Sequence, residues 1–232
     1  MQSEKITKEA ESRRRRYEDA CAAAHGLDLV GDRWALLVIR ELMLGPKRFS
    51  DIRASLPGIS ANVLTQRLEQ LEAGGVLTRR KLAPPAAVQV YELTPWGYQA
   101  EPILQALGRW AARSPHHDPT LPISANSFLL SLRTMLDPSR AKGLDARVGF
   151  RLGEETYLGR LKGGALEIAP RPIEDADVTF AAAPAVLAAA IYGGEPLEAL
   201  EAAGVLRLEG DRRLATRFVT LFPLPPKVEP PV

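Results

Sequence analysis

The apolar positions of the first half of the chain recur every three or four residues, which is the spacing of helices that bury one face. Residues 8–24 begin as a charged run and become alanine-rich, and this pattern indicates a first helix. A second pattern extends to Leu44, where Gly45-Pro46 ends it. Its apolar positions are Leu27, Val30, Trp34, Leu37 and Val38.

Two shorter helical patterns follow, separated by a turn. The spacing predicts one helix over Ser50–Leu56, after which Pro57-Gly58 breaks the chain. Ser60 is a good N-cap for a helix over Ala61–Ala73, which Gly74-Gly75 terminates. Two helices joined in this way predict a helix-turn-helix, whose second helix enters the major groove of DNA.

The helix predicted over Ala61–Ala73 has two different faces. Leu64, Leu68 and Leu71 share one face, and the opposite face carries Asn62, Thr65, Gln66 and Glu69. Amide side chains can bond adenine edges, and threonine can contact a thymine methyl group. The pattern therefore fits a recognition helix, although an ordinary amphipathic surface helix would show the same division.

A β-hairpin is predicted directly after this helix. Val76–Leu82 and Val88–Leu93 suit strands, and Ala83–Ala87 forms the turn between them. A basic run in the first strand could reach phosphates or the minor groove, or it could be a solvated edge that discourages strand pairing. This run is Arg79, Arg80 and Lys81. Thr94 and Pro95 then begin a helix that extends to about Arg113.

The second half has a different pattern, with strands first and helices later. Residues 114–122 contain three prolines and indicate a linker, and residues 224–232 form a proline-rich tail. Between them, residues 123–223 predict an α+β layer with a mainly antiparallel sheet. The predicted helices are Phe128–Leu136, Pro184–Tyr192, Pro196–Ala203 and Asp211–Leu221. The predicted strands are Ala146–Leu152, Glu155–Arg160, Ala165–Pro170, Ala176–Ala181 and Gly204–Glu209.

The motifs of the first half resemble the HxlR family of winged helix-turn-helix transcription regulators. The resemblance covers about Cys21–Arg113 and rests on LDLVGDRWALLVIRELMLGPKRFSDIRASLPGIS, LTQRLEQLEAGGVLTRR, VYELTPWG and LGRW. It implies that residues 1–113 form a DNA-binding and dimerisation domain, with the helices near 8–24 and 95–113 at the homodimer interface. It places Asn62, Thr65, Gln66 and Arg67 at the groove, and Lys47, Arg48 and Ser60 near the DNA backbone.

The second half resembles the sterol-carrier-protein fold over about Phe128–Pro223. The resemblance rests on VGFRLGEETYLGRLKGGALEIAP, on DADVTFAAAPAVLAAAIYGGEPLEALEAAGVLRLEGD and on RRLATRFVTLFPLP. It implies an apolar cavity between sheet and helices, but a filled core would give the same pattern. The residues expected to line the cavity are Phe150, Leu152, Tyr157, Leu158, Phe180, Leu187, Ile191, Leu206, Phe218 and Phe222.

Cys21 is the only cysteine of the 232 residues, which excludes an intramolecular disulfide. Some relatives of the HxlR family sense oxidants or electrophiles through the cysteine that it matches. Its alanine neighbours favour a buried and inert thiol instead, although Arg14–Arg16 and His25 are close in sequence and could activate it. Cys21 is therefore a structural cysteine or a redox sensor, with the structural role expected.

Charge and composition narrow the function classes. The net charge is +4 over residues 1–115 and −2 over residues 116–232, so the positive charge lies on the half with the DNA-binding pattern. No segment resembles a membrane span or a secretory signal, and we expect a cytoplasmic protein without membrane partners. No phosphate loop, nucleophile motif or metal-spaced cluster is present, and the adjacent His116 and His117 are expected to be solvated. We therefore expect neither an enzyme nor a cofactor.

The leading prediction is a homodimeric DNA-binding transcription regulator, by family resemblance a repressor, that an apolar ligand in the second half could control. One alternative is a protein that binds lipids or other apolar ligands and uses the winged helix mainly for dimerisation. Another is a regulator that responds to oxidants through Cys21.

Overall fold

A computed structural model of the chain describes residues 17–83 and 87–229. It is an α+β protein, as the sequence predicts. Its contacts define two compact units, one of residues up to 42 and 46–99, the other of residues 43–45 and from 100 onward. Within the described residues, no helix combines the length and the apolar character needed to cross a bilayer.

The first unit is built on four helices. They are α1 (Ala22–Val30), α2 (Ala35–Leu42), α3 (Phe49–Ser55) and α4 (Ala61–Ala73). Helix α2 packs against both α3 and α4, so the helix-turn-helix rests on it. Their shared core is fully buried and consists of Val38, Ile39, Leu42, Ile52, Leu64, Leu68 and Leu71.

The hairpin after α4 pairs β1 (Leu77–Lys81) with β2 (Gln89–Leu93) in antiparallel register, with Leu77 opposite Leu93. Thr94 caps the short helix α5 (Pro95–Tyr98) by accepting a 3.0 Å hydrogen bond from the Gly97 N–H. The Thr94 hydroxyl also donates to the Gly75 carbonyl over 2.8 Å. Both ends of the hairpin are thereby held beside the end of α4.

The second unit begins with α6 (Glu101–Ala112) and α7 (Ala125–Met135), which pack against each other. A five-stranded sheet follows, in the order β5-β4-β3-β6-β7. Its pairs are antiparallel except for β3 with β6, which confirms the mainly antiparallel sheet. The strands are β3 (Asp145–Leu152), β4 (Glu155–Lys162), β5 (Ala165–Pro170), β6 (Val178–Ala182) and β7 (Leu206–Gly210).

Three helices and a 3-10 turn complete the second unit. They are α8 (Pro184–Tyr192), α9 (Leu197–Ala202), α10 (Arg212–Phe218) and the 3-10 turn Val219–Leu221. Each lies where the apolar pattern predicts a helix, and the bounds of α8 agree to the residue. The described part of the proline-rich tail, residues 224–229, has no helix or strand and is bound to the unit, because Val228 N donates to the Arg113 carbonyl over 2.8 Å.

Three helical predictions differ from the structure. The first predicted helix falls mostly on residues 1–16, which lie outside the described residues, and the chain from 17 to 21 is not helical. The pattern running from Leu27 to Leu44 is divided into α1 and α2 by a turn after Val30. The pattern from Pro95 to Arg113 is divided into α5 and α6, whose second residue is Pro102, a residue without the N–H that a helix interior requires.

Candidate nucleic-acid interface

Helix α4 presents a polar surface opposite its leucine stripe. The Ser60 hydroxyl caps it by accepting from the Val63 N–H over 3.3 Å. Asn62, Thr65 and Gln66 are exposed, whereas the leucines beneath them are buried. The packed face fixes the orientation of the helix, so the three polar side chains are displayed together from a rigid element.

Arg67 does not share this surface, and the expectation that it faces the groove is wrong. It is buried, and its guanidinium is paired with Asp32 in the turn between α1 and α2. The reason is helical geometry, because position 67 follows Leu64 by three residues and precedes Leu71 by four. Arg67 therefore anchors α4 to the end of α1 and does not present its charge to DNA.

The expectation that Lys47 lies near the DNA backbone is also wrong. Its Nζ lies 3.6 Å from Oε2 of Glu41, and its side chain is only 12% exposed. Its backbone pairs with Tyr91 through two hydrogen bonds of 2.8 and 3.0 Å, which adds a bridge to the edge of the hairpin. Glu41 itself is fully buried and also contacts Arg40 over 2.8 Å. Lys47 thus stabilises the fold, whereas the neighbouring Arg48 is exposed.

The basic run of β1 is exposed, but two of its three members are paired. Arg79 bonds Glu72 over 2.6 Å and lies over the Tyr91 ring, while Arg80 bonds Glu92. The hydrogen bond that each arginine donates to its carboxylate raises the pKa of the arginine further above the ordinary value. Lys81 is exposed, and no acidic partner for it occurs within residues 17–83 and 87–229. Neither acidic partner was predicted from the sequence, although Glu92 is cross-strand to Thr78 and hence close to Arg80.

Residues 84–86 of the predicted turn lie outside the described residues.

Cys21 is exposed, so the expectation of a buried thiol is wrong. It precedes the first residue of α1, and the N–H groups of Ala24 and Ala23 lower the pKa of its thiol. A helix N-terminus favours an anion, which explains the direction of this change. Of the residues that sequence suggested as activators, Arg14–Arg16 lie outside the described residues.

The second unit has a packed aromatic core where the resemblance implied a cavity. The Phe150 ring lies 6.1 Å from Phe180, 5.9 Å from Phe218 and 6.4 Å from Phe128, and Phe218 lies 5.0 Å from Phe222. Edge-on and offset rings at such distances fill space efficiently. Eight of the ten expected lining residues are buried, namely Phe150, Leu152, Tyr157, Phe180, Leu187, Leu206, Phe218 and Phe222; Leu158 and Ile191 are partly exposed.

The described residues of the second unit form surface clefts, two of which have the following linings. One of about 390 Å³ is lined by Ile191, Phe222 and residues of α8, α9 and the 3-10 turn. The other, of about 590 Å³, is formed by α6, the end of α7 and the tail. Ile191 and Phe222 are the two predicted lining residues that reach the first cleft, and none reaches the second.

A helix-turn-helix followed by a hairpin defines the class of winged-helix DNA-binding transcription regulators. Residues 29–118 match the model of the HxlR-like helix-turn-helix family, and residues 119–227 match the alkyl sulfatase C-terminal family. The chain is similar to the transcriptional regulator YvaP of Bacillus subtilis, with 40% identity over 37% of this chain and 79% of YvaP. The transcriptional regulator YodB of the same organism is 37% identical over 36% of this chain and 74% of YodB. The chain belongs to the HxlR-like helix-turn-helix family.

Solved structures give similarities to each half. Reduced YodB from B. subtilis is 32% identical, covers 43% of this chain and 100% of its own, and has a TM-score of 0.38. The sec-alkylsulfatase Pisa1 from Pseudomonas sp. is 21% identical, with a TM-score of 0.41. It matches 44% of this chain, which spans only 16% of that enzyme.

Proposed function

We propose that this protein is a sequence-specific transcription regulator that acts as a homodimer and represses the genes it controls. The observation that carries the proposal is the exposed row of Asn62, Thr65 and Gln66 on a helix whose other face is fixed in the core. In this proposal residues 1–113 bind DNA and dimerise, and residues 114–122 are a linker. Residues 123–223 form a regulatory domain, and residues 224–232 are its tail. The relatives YvaP and YodB are both named as transcriptional regulators.

The exposed amides would read base edges, because asparagine and glutamine can bond adenine through two hydrogen bonds. Arg48, the Ser60 hydroxyl and Lys81 would contact phosphates, which position the helix without reading sequence. Arg79 and Arg80 are already bonded to carboxylates, so they would contact phosphates only by giving up or sharing these bonds. We therefore assign the β1–β2 hairpin a smaller share of the DNA affinity than its three positive charges would suggest.

The test is selection of binding sites from random DNA, followed by titration of the selected site. Gln66→Ala should reduce the preference for the selected site over a scrambled one by roughly tenfold, which is one lost bidentate contact. Gln70→Ala is the matched control, because Gln70 is exposed one turn further from the N-terminus of α4. Equal preference in wild type and Gln66→Ala would remove α4 from base recognition.

The homodimer part of the proposal rests on an apolar stripe on α6. Ile103, Leu107 and Trp110 lie at positions i, i+4 and i+7 and are 55%, 44% and 73% exposed. Leu27 on α1 is exposed as well. Large apolar side chains that share one face of a helix usually mark an interface. Helix α6 lies within the segment 95–113 that the family resemblance places at the dimer interface, whereas the other expected segment, 8–24, falls mostly outside the described residues.

A second candidate function is a response to oxidants or electrophiles through Cys21, and its exposure at the start of α1 favours it. Solved structures of relatives are described as the redox regulator HypR in oxidized form and quinone-bound YodB. Treatment with a quinone should change the DNA affinity of wild type and leave Cys21→Ser unaffected. Identical responses of the two proteins would exclude this route.

Control by an apolar ligand remains part of the proposal, but the packed phenylalanine core moves the expected site to a surface cleft. The competing hypothesis, a carrier of apolar ligands with a winged helix for dimerisation, predicts DNA binding without sequence preference. The selection experiment therefore separates these two functions directly.

A further inference from the structure

The larger of the two clefts combines a cationic edge with an apolar wall. Arg109, Trp110 and Arg113 lie along one edge of α6, and Met135 and Leu136 end α7 on the other side. Residues Pro223, Leu224, Pro225 and Pro226 of the tail close the third side. A volume of about 590 Å³ is within the ordinary range of small-molecule sites, which is about 300–1,000 Å³.

The tail is held in place by polar contacts, so this wall is a defined part of the unit. The Val228 N–H donates to the Arg113 carbonyl over 2.8 Å. Lys227 Nζ donates to the Ser114 carbonyl over 2.9 Å and to the His117 carbonyl over 3.4 Å. These three bonds join the tail to the end of α6 and the segment after it, and they keep the prolines beside Trp110.

The charge of the cleft is positive. Within the described parts of the chain, neither Arg109 nor Arg113 is paired with a carboxylate. The one acidic lining residue is Asp137, whose Oδ1 accepts from the Ser139 hydroxyl and N–H over 2.6 and 2.8 Å. Its Oδ2 lies 3.6 Å from Arg140 Nε, which offsets the carboxylate charge. Two guanidinium groups four residues apart therefore remain available to an anion.

We propose that this cleft binds a small effector with an apolar body and one anionic group, a carboxylate or sulfonate. Arg109 and Arg113 hold the anionic group, because guanidinium bonds to such oxygens are charge-assisted and directional. The Trp110 ring and the apolar tail residues contact the body of the ligand. The smaller cleft is a poorer candidate for this class, because Glu195 and Glu198 line it.

The site gives the proposed regulator a route for control, and in this respect it rests on the proposed function. Trp110 borders the cleft and also belongs to the apolar stripe proposed for dimerisation. A ligand that orders Trp110 in one position favours one packing of α6 against a second copy. It changes DNA affinity only to the extent that it prefers that geometry.

The test uses two fluorescent probes on the full-length protein, anilinonaphthalene sulfonate and its uncharged analogue N-phenylnaphthylamine. We expect the sulfonate to bind at least about tenfold more tightly, because only it can use the guanidinium groups. The double variant Arg109→Gln, Arg113→Gln should remove this advantage and leave binding of the uncharged probe intact. Arg151→Gln with Arg160→Gln is the matched control, since these exposed arginines of the sheet lie outside the cleft.

Lys227→Ala tests the tail independently, because it removes two of the three bonds that hold the tail beside Trp110 and should weaken the binding of both probes. Equal affinity for the two probes, or a sulfonate affinity unchanged by the double variant, overturns the inference. Titration of the selected DNA site without probe is run on the same samples. If wild type binds the selected DNA site but has equal affinity for the charged and the uncharged probe, the proposed anion site is refuted and the proposed function stands. If wild type shows no site-specific DNA binding, the proposed function is refuted.

Discussion

At the scale of single residues, Arg67 shows how one position on a helix separates folding from recognition. It lies beside Gln66 in sequence, yet its guanidinium is buried against Asp32 while Gln66 is exposed. Arg67→Ala should lower the free energy of unfolding by about 1–2 kcal/mol, since the pair is lost together with the buried stem, and solvent at the half-exposed Asp32 limits the effect. Urea unfolding measures this change.

Two variants complete that experiment. Arg67→Met keeps the apolar stem and should lose less stability than Arg67→Ala. The difference between the two variants separates the contribution of side-chain packing from that of the ion pair. Gln70→Ala, on the exposed face of the same helix, should stay within about 0.5 kcal/mol of wild type. If Arg67→Ala unfolds at the urea concentration of wild type, the ion pair with Asp32 contributes nothing to the fold.

The Cys21 thiol should titrate below the pKa of an unperturbed cysteine. The N–H groups of Ala24 and Ala23 stabilise its thiolate in the folded chain. Because the folded pKa is the lower one, the resulting stability is present above the unfolded pKa and is lost as pH falls through the folded pKa. The rate of iodoacetamide alkylation against pH measures the folded value, with Cys21→Ser as the blank. A midpoint at or above that of a free cysteine peptide would contradict the assignment.

At the scale of elements, two glycines with opposite surroundings provide a paired prediction. A Cβ on Gly97 would lie 2.0 Å from the Val76 carbonyl oxygen, where α5 meets the base of the hairpin. Gly97→Ala should therefore destabilise the first unit by about 1–3 kcal/mol, because backbone must move. Urea unfolding followed by circular dichroism measures the change.

The matched change is Gly108→Ala in α6. A Cβ there would contact only the Thr134 methyl at 3.8 Å, an ordinary packing distance. Since glycine disfavours helix interiors, the substitution should stabilise the second unit by roughly 0.5–1 kcal/mol. Destabilisation by Gly108→Ala would mean that α6 and α7 pack more tightly than the structure indicates.

Helices and strands could be predicted from the sequence where local residues define their ends, whereas the candidate site could be predicted only in part. Ser60 and Gly74 bound α4, and the structure confirms both ends. The helical spacing also puts Arg67 on the leucine side of α4, although the resemblance led to the wrong expectation that it faces the groove. The buried partner of Lys47 was not, since Glu41 is six residues away and meets it only through the fold. Periodicity likewise cannot separate a cavity wall from the packed phenylalanine core.

At the scale of the whole molecule, fewer positive charges are available to DNA than the number of basic residues suggests. Among the described residues of the first unit, five arginine and lysine side chains are paired with acidic ones, namely Arg40, Lys47, Arg67, Arg79 and Arg80. Counterion release depends on the charges that meet phosphates, so pairing within the protein lowers the salt dependence of binding. In the proposed regulator, sequence preference then depends more on the exposed amides of α4 and, in a dimer, on the second copy of that helix.

The proposed dimer leads to the last prediction, because two copies of α4 that read two half-sites should bind DNA far more tightly than one copy. Leu107→Glu introduces a charge into the exposed stripe of α6, where a buried carboxylate without a partner would oppose association. We expect a monomer at micromolar concentration by light scattering, and at least about a tenfold loss of affinity for the selected DNA site.

Val205→Glu is the control for this change, because Val205 is also an exposed apolar residue but lies outside α6. It should leave both the molecular mass and the DNA affinity unchanged. A Leu107→Glu protein that stays dimeric would move the interface away from the stripe. A wild-type protein that is monomeric yet binds the selected site tightly would show that a single recognition helix suffices, and the homodimer would then be the part of the proposal to abandon.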